Sequence, residues 1–208
     1  MTSENQSKKF DFLGGRLCLD FINTGPRGTD LPKEYLTSYG ALVEWGRQAG
    51  VLTDQEAKAL LRKAKDHQEE ANLILRRAIS LREAFYHIIS ATIHGESAAK
   101  TDIGMFNQEF AEAMSRSQII PESRGFVWKL TGDKNGLDRV LVEVVRSAAD
   151  LLTSEELGKV RLCADETCAW AFVDLSKNRS RRWCDMKDCG NQAKARRHYE
   201  RVKAHSKP

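Results

Sequence analysis

The sequence predicts a mainly α-helical domain with one small β-hairpin, followed by a short cysteine-rich module that ends in a basic helix. Three observations predict it. Apolar residues recur at helical spacing through most of residues 1–158. Four of the five cysteines fall as two pairs within the last 46 residues. Positive charge gathers at that same end. Residues 176–208 hold eleven Lys/Arg against three Asp/Glu, a net of +8, while the whole chain is only +4. The other 175 residues therefore carry −4. A local basic end on a mildly acidic body points to polyanion binding at that end. The alternative is a solvated, solubilising tail.

Residues 10–28 open with apolar side chains at Phe10, Phe12, Leu13, Leu17, Leu19, Phe21 and Ile22. Gly14 and Gly15 mark a turn, a short helix or strand follows from Arg16 to about Asn23, and Gly25, Pro26 and Gly28 break it. Leu42, Val43, Trp45, Gly46 and Ala49 share helical spacing, with Ser38 as N-cap and Gly50 as stop. Thr53 and Glu56 form a capping box for the next helix. A long amphipathic helix runs from about His67 to His94, its face built by Ala71, Ile74, Leu75, Ala78, Leu81, Phe85, Ile88 and Ile89. Another covers about Met105 to Met114. Ile119-Ile120, a turn from Pro121 to Gly125, and Phe126 to Leu130 read as a hairpin. Residues 132–136 form a loop, Leu137 to Leu152 an apolar helix, and Ser154 caps a short turn. The module boundary falls after Gly158, giving domains 1–158 and 159–208.

Several classes are excluded. There is no apolar run of the ~18 residues that a spanning helix needs. The N-terminus is polar and lacks the apolar stretch of a secretory signal, so the expected compartment is the cytoplasm. No phosphate loop, nucleophile elbow or HExxH is present, and no acid/base constellation stands out, so no enzyme is expected.

The cysteines carry the chemistry. They read Cys163-x4-Cys168, fifteen residues, then Cys184-x4-Cys189. Each pair closes a small loop that offers two thiolates, and four thiolates fill the tetrahedral shell of one Zn²⁺. Such a site is structural, with no open position for a reactive water. The competing readings are unconnected thiols or two disulfides. The module has too few apolar residues for a core of its own, and a reducing compartment disfavours disulfides. Trp170, Phe172 and Val173 read as β structure after the first pair. Gly190 turns the chain, Asn191 caps, and a helix runs from Gln192 to about Ala204. Knuckle, hairpin and then helix is a treble-clef-like layout.

On that last helix Lys194, Arg197 and Arg201 form one basic stripe, and Arg196 and Lys203 a neighbouring one. Ala193, Ala195, Tyr199 and Val202 are expected to pack inward. Arg179, Arg181 and Arg182 add loop cations that would meet a phosphate backbone. Asn191 and Gln192 would contact a base or cap the helix, capping being the expected role of Asn191. At the other end, Arg16, Asp20, Asn23 and Thr24 cluster. They would line a small-molecule pocket, or else make a local salt bridge and a loop cap. Cys18 reads as a core thiol.

The run FVDLSKNRSRRWC at 172–184, the two cysteine pairs, and Cys189-Gly190-Asn191 resemble the CGNR zinc finger of bacteria. The stretch GGRLCLDFINT at 14–24 resembles the opening signature of the ABATE domain that precedes that finger. Together the likeness spans nearly the whole chain. It implies a stress-induced transcription regulator that binds duplex DNA through the finger. One departure is plain: Gln192 stands where the family carries its name-giving arginine, and Arg196 and Arg197 lie one turn on. The expectation is therefore a zinc-dependent DNA-binding regulator whose helical domain senses a small effector. The rival is an adaptor whose finger docks an acidic protein or RNA partner.

Overall fold

The computed structural model describes residues 9–28, 33–131, 136–165 and 167–205. The protein is mainly helical, with a small two-stranded hairpin and a C-terminal four-cysteine module. Seven α-helices appear among the described residues: α1 Leu17–Ile22, α2 Tyr39–Gln48, α3 Asp54–Asp66, α4 Gln68–His94, α5 Lys100–Ser115, α6 Arg139–Leu152 and α7 Cys189–His205. The hairpin pairs β1 Ser117–Glu122 with β2 Gly125–Leu130, and a second, shorter one pairs β3 Val160–Leu162 with β4 Ala171–Val173.

Helix ends fall where local chemistry puts them. The Ser38 hydroxyl accepts from the Ala41 amide at 3.2 Å, and α2 gives out before Gly50, which sits at φ +74°. Thr53 and Glu56 make both halves of a capping box on α3. Gly95 closes α4 in the left-handed region.

Some boundaries differ from expectation. Helix α5 begins five residues before Met105, because its first turn rests on the extended Ala99 and buries no apolar side chain. Pro121 is a paired strand residue opposite Phe126, so the turn tightens to Ser123 and Arg124. Strand β3 has no counterpart in the sequence reading; three residues are too few to show a period. The loop expected at 132–136 falls largely outside the described residues.

Helix α1 sits at the centre. It packs on α6, α4 and β4, and Cys18, Leu19, Phe21 and Ile22 are fully buried. The Phe21 ring meets Trp45 edge-on, with centroids 5.2 Å apart. Burial pushes the Cys18 thiol up to about 12, as befits an inert core thiol. Val160, Ala171 and Val173 belong to this same core. The first strands of the cysteine module are thus built into the helical domain. A second, smaller cluster holds Phe172 and three of the cysteines, flanked by Cys168, Trp170 and Trp183.

Candidate metal centre and basic surface

Cys163 and Cys168 lie in the turn between β3 and β4, which the 2.7 Å bond from the Cys163 amide to the Trp170 carbonyl closes. Cys184 follows a loop, and Cys189 opens α7. Two ligands from a hairpin turn and one from the first turn of a helix give the treble-clef-like arrangement expected. The sulfurs of Cys168 and Cys184 are 3.5 Å apart, those of Cys184 and Cys189 3.6 Å, and all four lie within 4.8 Å of one another. A disulfide needs about 2.05 Å, so these are free thiols. A tetrahedron with Zn–S of about 2.3 Å puts sulfurs roughly 3.8 Å apart. The donor set, its spacing and its burial therefore fit one structural zinc ion.

The electrostatics ask for that ion. Thiol hydrogen bonds from Cys168 and Cys184 pull the Cys163 thiol well below its ordinary range, helped by the backbone amides of Cys184 and Asp165. The Cys184 thiol is pushed far up, because it faces the sulfurs of Cys163 and Cys168. One thiolate forms readily and opposes the next. A divalent cation is what lets four share so small a volume.

Two buried carboxylates that the sequence reading missed organise the module. Burial opposes the charge of Asp165, but hydrogen bonds from Thr167 and the ion pair with Arg196 outweigh it and hold its carboxyl below the usual range. The Arg196 contact, at 2.5 Å, ties α7 to the first cysteine turn. Asp174 accepts from the amides of Ser176 and Arg181, and the Ser176 bonds hold its carboxyl low as well. It thereby shapes the exposed turn that carries Arg179, whose φ is +49°. Both lie outside the basic run of 176–208, Asp174 two residues before it and Asp165 between the first two cysteines, and no local pattern marks either.

The cations separate into two groups. Arg181 turns inward, 4.4 Å over the Phe172 ring, and donates to the carbonyls of Trp183 and Cys184. Arg196 is engaged with Asp165 as described. Arg182 and Arg197 flank the Trp183 ring, at 5.3 and 6.0 Å from its centroid. Lys194, Arg179 and Arg201 are exposed. Asn191 lies inside the first turn of α7 and donates to the Lys187 carbonyl, so it is not the N-cap; the helix starts at Cys189 instead. Gln192 donates to Asp188 at 2.6 Å. Tyr199 and Val202, expected to pack inward, are 68% and 51% exposed.

The N-terminal cluster is placed differently from a pocket. Arg16 pairs with Glu156 across the surface, not with Asp20. Asp20 accepts from the Gly14 amide at 2.7 Å, and Thr24 donates to the Phe21 carbonyl. Asn23 is 2% exposed and binds the backbone of Ala171 twice. None of the four lines the cleft beside the metal centre. That cleft, of about 340 Å³, lies between the helical domain and the module and opens onto the metal centre, with Arg27, Lys33 and Tyr35 on one side and Cys168, Cys184, Cys189 and Gln192 on the other. No helix among the described residues is long and apolar enough to cross a membrane.

Two family descriptions match the chain in succession. The ABATE description, "putative stress-induced transcription regulator", matches residues 15–155, and the CGNR zinc finger matches residues 159–202. No curated protein matches the chain.

Proposed function

The chain belongs to the ABATE family and carries its CGNR zinc finger, and from that premise we propose that it is a cytoplasmic transcription regulator that binds duplex DNA through the finger. It acts as a binding protein and not as an enzyme. One observation carries the reading. Helix α7 is tied down by Cys189 and by Arg196, and Lys194, Arg197 and Arg201 lie exposed along one side of it. A helix fixed at one end and cationic along its length is a shape that a major groove accepts. Arg182 and Arg197 are held against Trp183, which lowers the entropy lost when they meet a phosphate. Arg179 at the loop tip supplies a further backbone contact. Arg181 and Arg196 serve the finger itself.

The sensing half of the reading rests on the interdomain cleft. An effector there would touch both Tyr35 and Gln192, and so both parts of the molecule. The exposed Tyr199 and Val202 favour a second reading, in which α7 docks a protein partner.

A salt titration of duplex binding tests the proposal. Each phosphate contact contributes a log–log slope of roughly −0.9. Arg197→Ala is expected to reduce the slope by about one if Arg197 meets a phosphate, or to relax sequence preference if it meets a guanine edge. Chelation of zinc is expected to leave only weak, charge-driven binding. If wild type, Arg197→Ala and chelated protein bind alike, α7 is a basic tail and the proposal fails.

A further inference from the structure

Four contacts join segment 14–28 to the finger, and a fifth comes from Tyr86 of α4. The Asn23 carboxamide donates to the Ala171 carbonyl and accepts from the Ala171 amide, both at 2.9 Å. The Val173 amide donates to the Gly14 carbonyl at 2.9 Å. Ala171 and Val173 are alternate residues of β4, so both bonds fall on one strand edge, the edge turned away from β3. Asn23 and Gly14 stand in for a third strand. The Gly28 backbone lies against the Thr167 carbonyl so closely that a Cβ there would sit 2.0 Å from its oxygen. On the same side the Tyr86 hydroxyl reaches the Ala169 carbonyl.

All of these contacts grip the cysteine turn or the strand that leaves it. Ala171 is three residues past Cys168, and Thr167 immediately precedes that cysteine. A zinc ion held by Cys163 and Cys168 would clamp the turn that joins β3 to β4 and with it their register, which pairs Leu162 with Ala171. That register decides whether the Ala171 amide and carbonyl meet Asn23 together.

We propose that segment 14–28 is a socket for the metal-loaded finger, with Asn23 the positioning residue that couples zinc occupancy to the helical core. The coupling runs both ways. Zinc stabilises the helical domain through β4 and α1, and the socket raises the finger's affinity for zinc. Loss of the metal frees the edge of β4, and Asn23 is left facing no partner in the core. The N-terminal signature then serves as the internal reader of metal occupancy. This inference does not depend on DNA binding.

The test uses the full chain. Zinc affinity is measured by competition with a chromophoric chelator, and helix melting is followed by far-ultraviolet circular dichroism with and without zinc. Asn23→Ala is expected to weaken zinc binding about ten- to a hundredfold, as loss of a group that orients metal ligands does. Leu60→Ala, in α3 and away from the socket, is expected to lower the melting temperature and leave zinc affinity unchanged. In wild type, zinc removal is expected to lower the melting temperature of the helices themselves, a reading that stands even if Asn23→Ala does not fold. Wild-type helices that melt alike with and without zinc overturn the proposal, as does Asn23→Ala that holds zinc like wild type.

Discussion

Helices α1 and α7 invite comparison, because each carries polar residues that the sequence marks for function. Helix α1 is six residues long and buried at Cys18, Leu19, Asp20, Phe21 and Ile22. Helix α7 is 17 residues long and largely exposed from Asn191 onward. A short helix has no stability of its own and exists because its neighbours pack on it. Its polar side chains, with no water to turn to, bind backbone: Asp20 to Gly14, and Asn23, just past its end, to Ala171. The polar side chains of α7 have water on most sides, and several remain for a partner. The same residue types thus serve folding at one end and recognition at the other, and burial separates the two.

The largest expected effect breaks the comparison at its hinge, the metal. Cys184→Ser removes a thiol whose sulfur lies within 3.6 Å of those of both Cys168 and Cys189. Wild type is expected to hold one zinc per chain by metal analysis, and the variant none. Structural zinc sites contribute on the order of 10 kcal/mol to their modules, so the finger should unfold. If the socket couples the two parts, helix melting falls with it.

Gly28→Ala comes next. Its φ of +80° already disfavours a side chain, and the added methyl would meet the Thr167 carbonyl and, at 2.7 Å, the Cys168 amide. Backbone atoms cannot swing aside as a side-chain tip can. The expected loss is roughly 2–4 kcal/mol in denaturant unfolding. A neutral outcome would mean that the socket and the finger do not touch in solution.

A smaller effect concerns Asp20. Burial lifts its carboxyl from 3.8 to about 6, against the pull of the Gly14 and Leu13 amides. A carboxyl whose folded pKa is raised adds stability that is full below the unfolded value and lost as pH rises through the folded one. Stability should therefore climb by roughly 1 kcal/mol between pH 7 and 5.5 on account of this group. Denaturant unfolding in zinc-containing buffer reads the slope, and Asp20→Asn should flatten it. An unchanged slope in the variant would assign the pH dependence to other groups.

How much of this the sequence showed follows from distance along the chain. The cap at Ser38, the box at Thr53 and Glu56, and the spacing of the cysteine pairs involve residues a few positions apart, and all were legible. The Asn23–Ala171 bonds span 148 positions, and no local pattern announces them. Asn23 was therefore read as a cap or a pocket residue when it grips a strand. Helix α7 was misjudged for the opposite reason. Apolar residues at helical spacing suggested an inward face, but amphipathic pattern says nothing about whether a neighbour is there to receive it. The roles of Arg181 and Arg196 were hidden because charge counting treats every arginine in a basic run alike.

The smallest expected effect tests the exposed apolar face of α7. Tyr199 sits on α7 with 68% of its surface exposed. Tyr199→Ser should change unfolding stability by less than about 0.5 kcal/mol, because a surface substitution away from caps and cores removes little. The same change at Phe21, fully buried against Trp45, is of the kind that costs ~3–5 kcal/mol. The contrast would confirm that α7 gives the fold little beyond its cysteine and its tie to Asp165. It also discriminates between partners. Tyr199 offers an apolar ring beside a cationic stripe, which a protein groove would bury and a phosphate backbone would largely ignore. If Tyr199→Ser leaves the salt slope of duplex binding intact, the ring stands outside the DNA interface. If instead it weakens self-association or capture by a protein partner at unchanged stability, the exposed stripe is a docking face, and the regulator uses one helix for two partners.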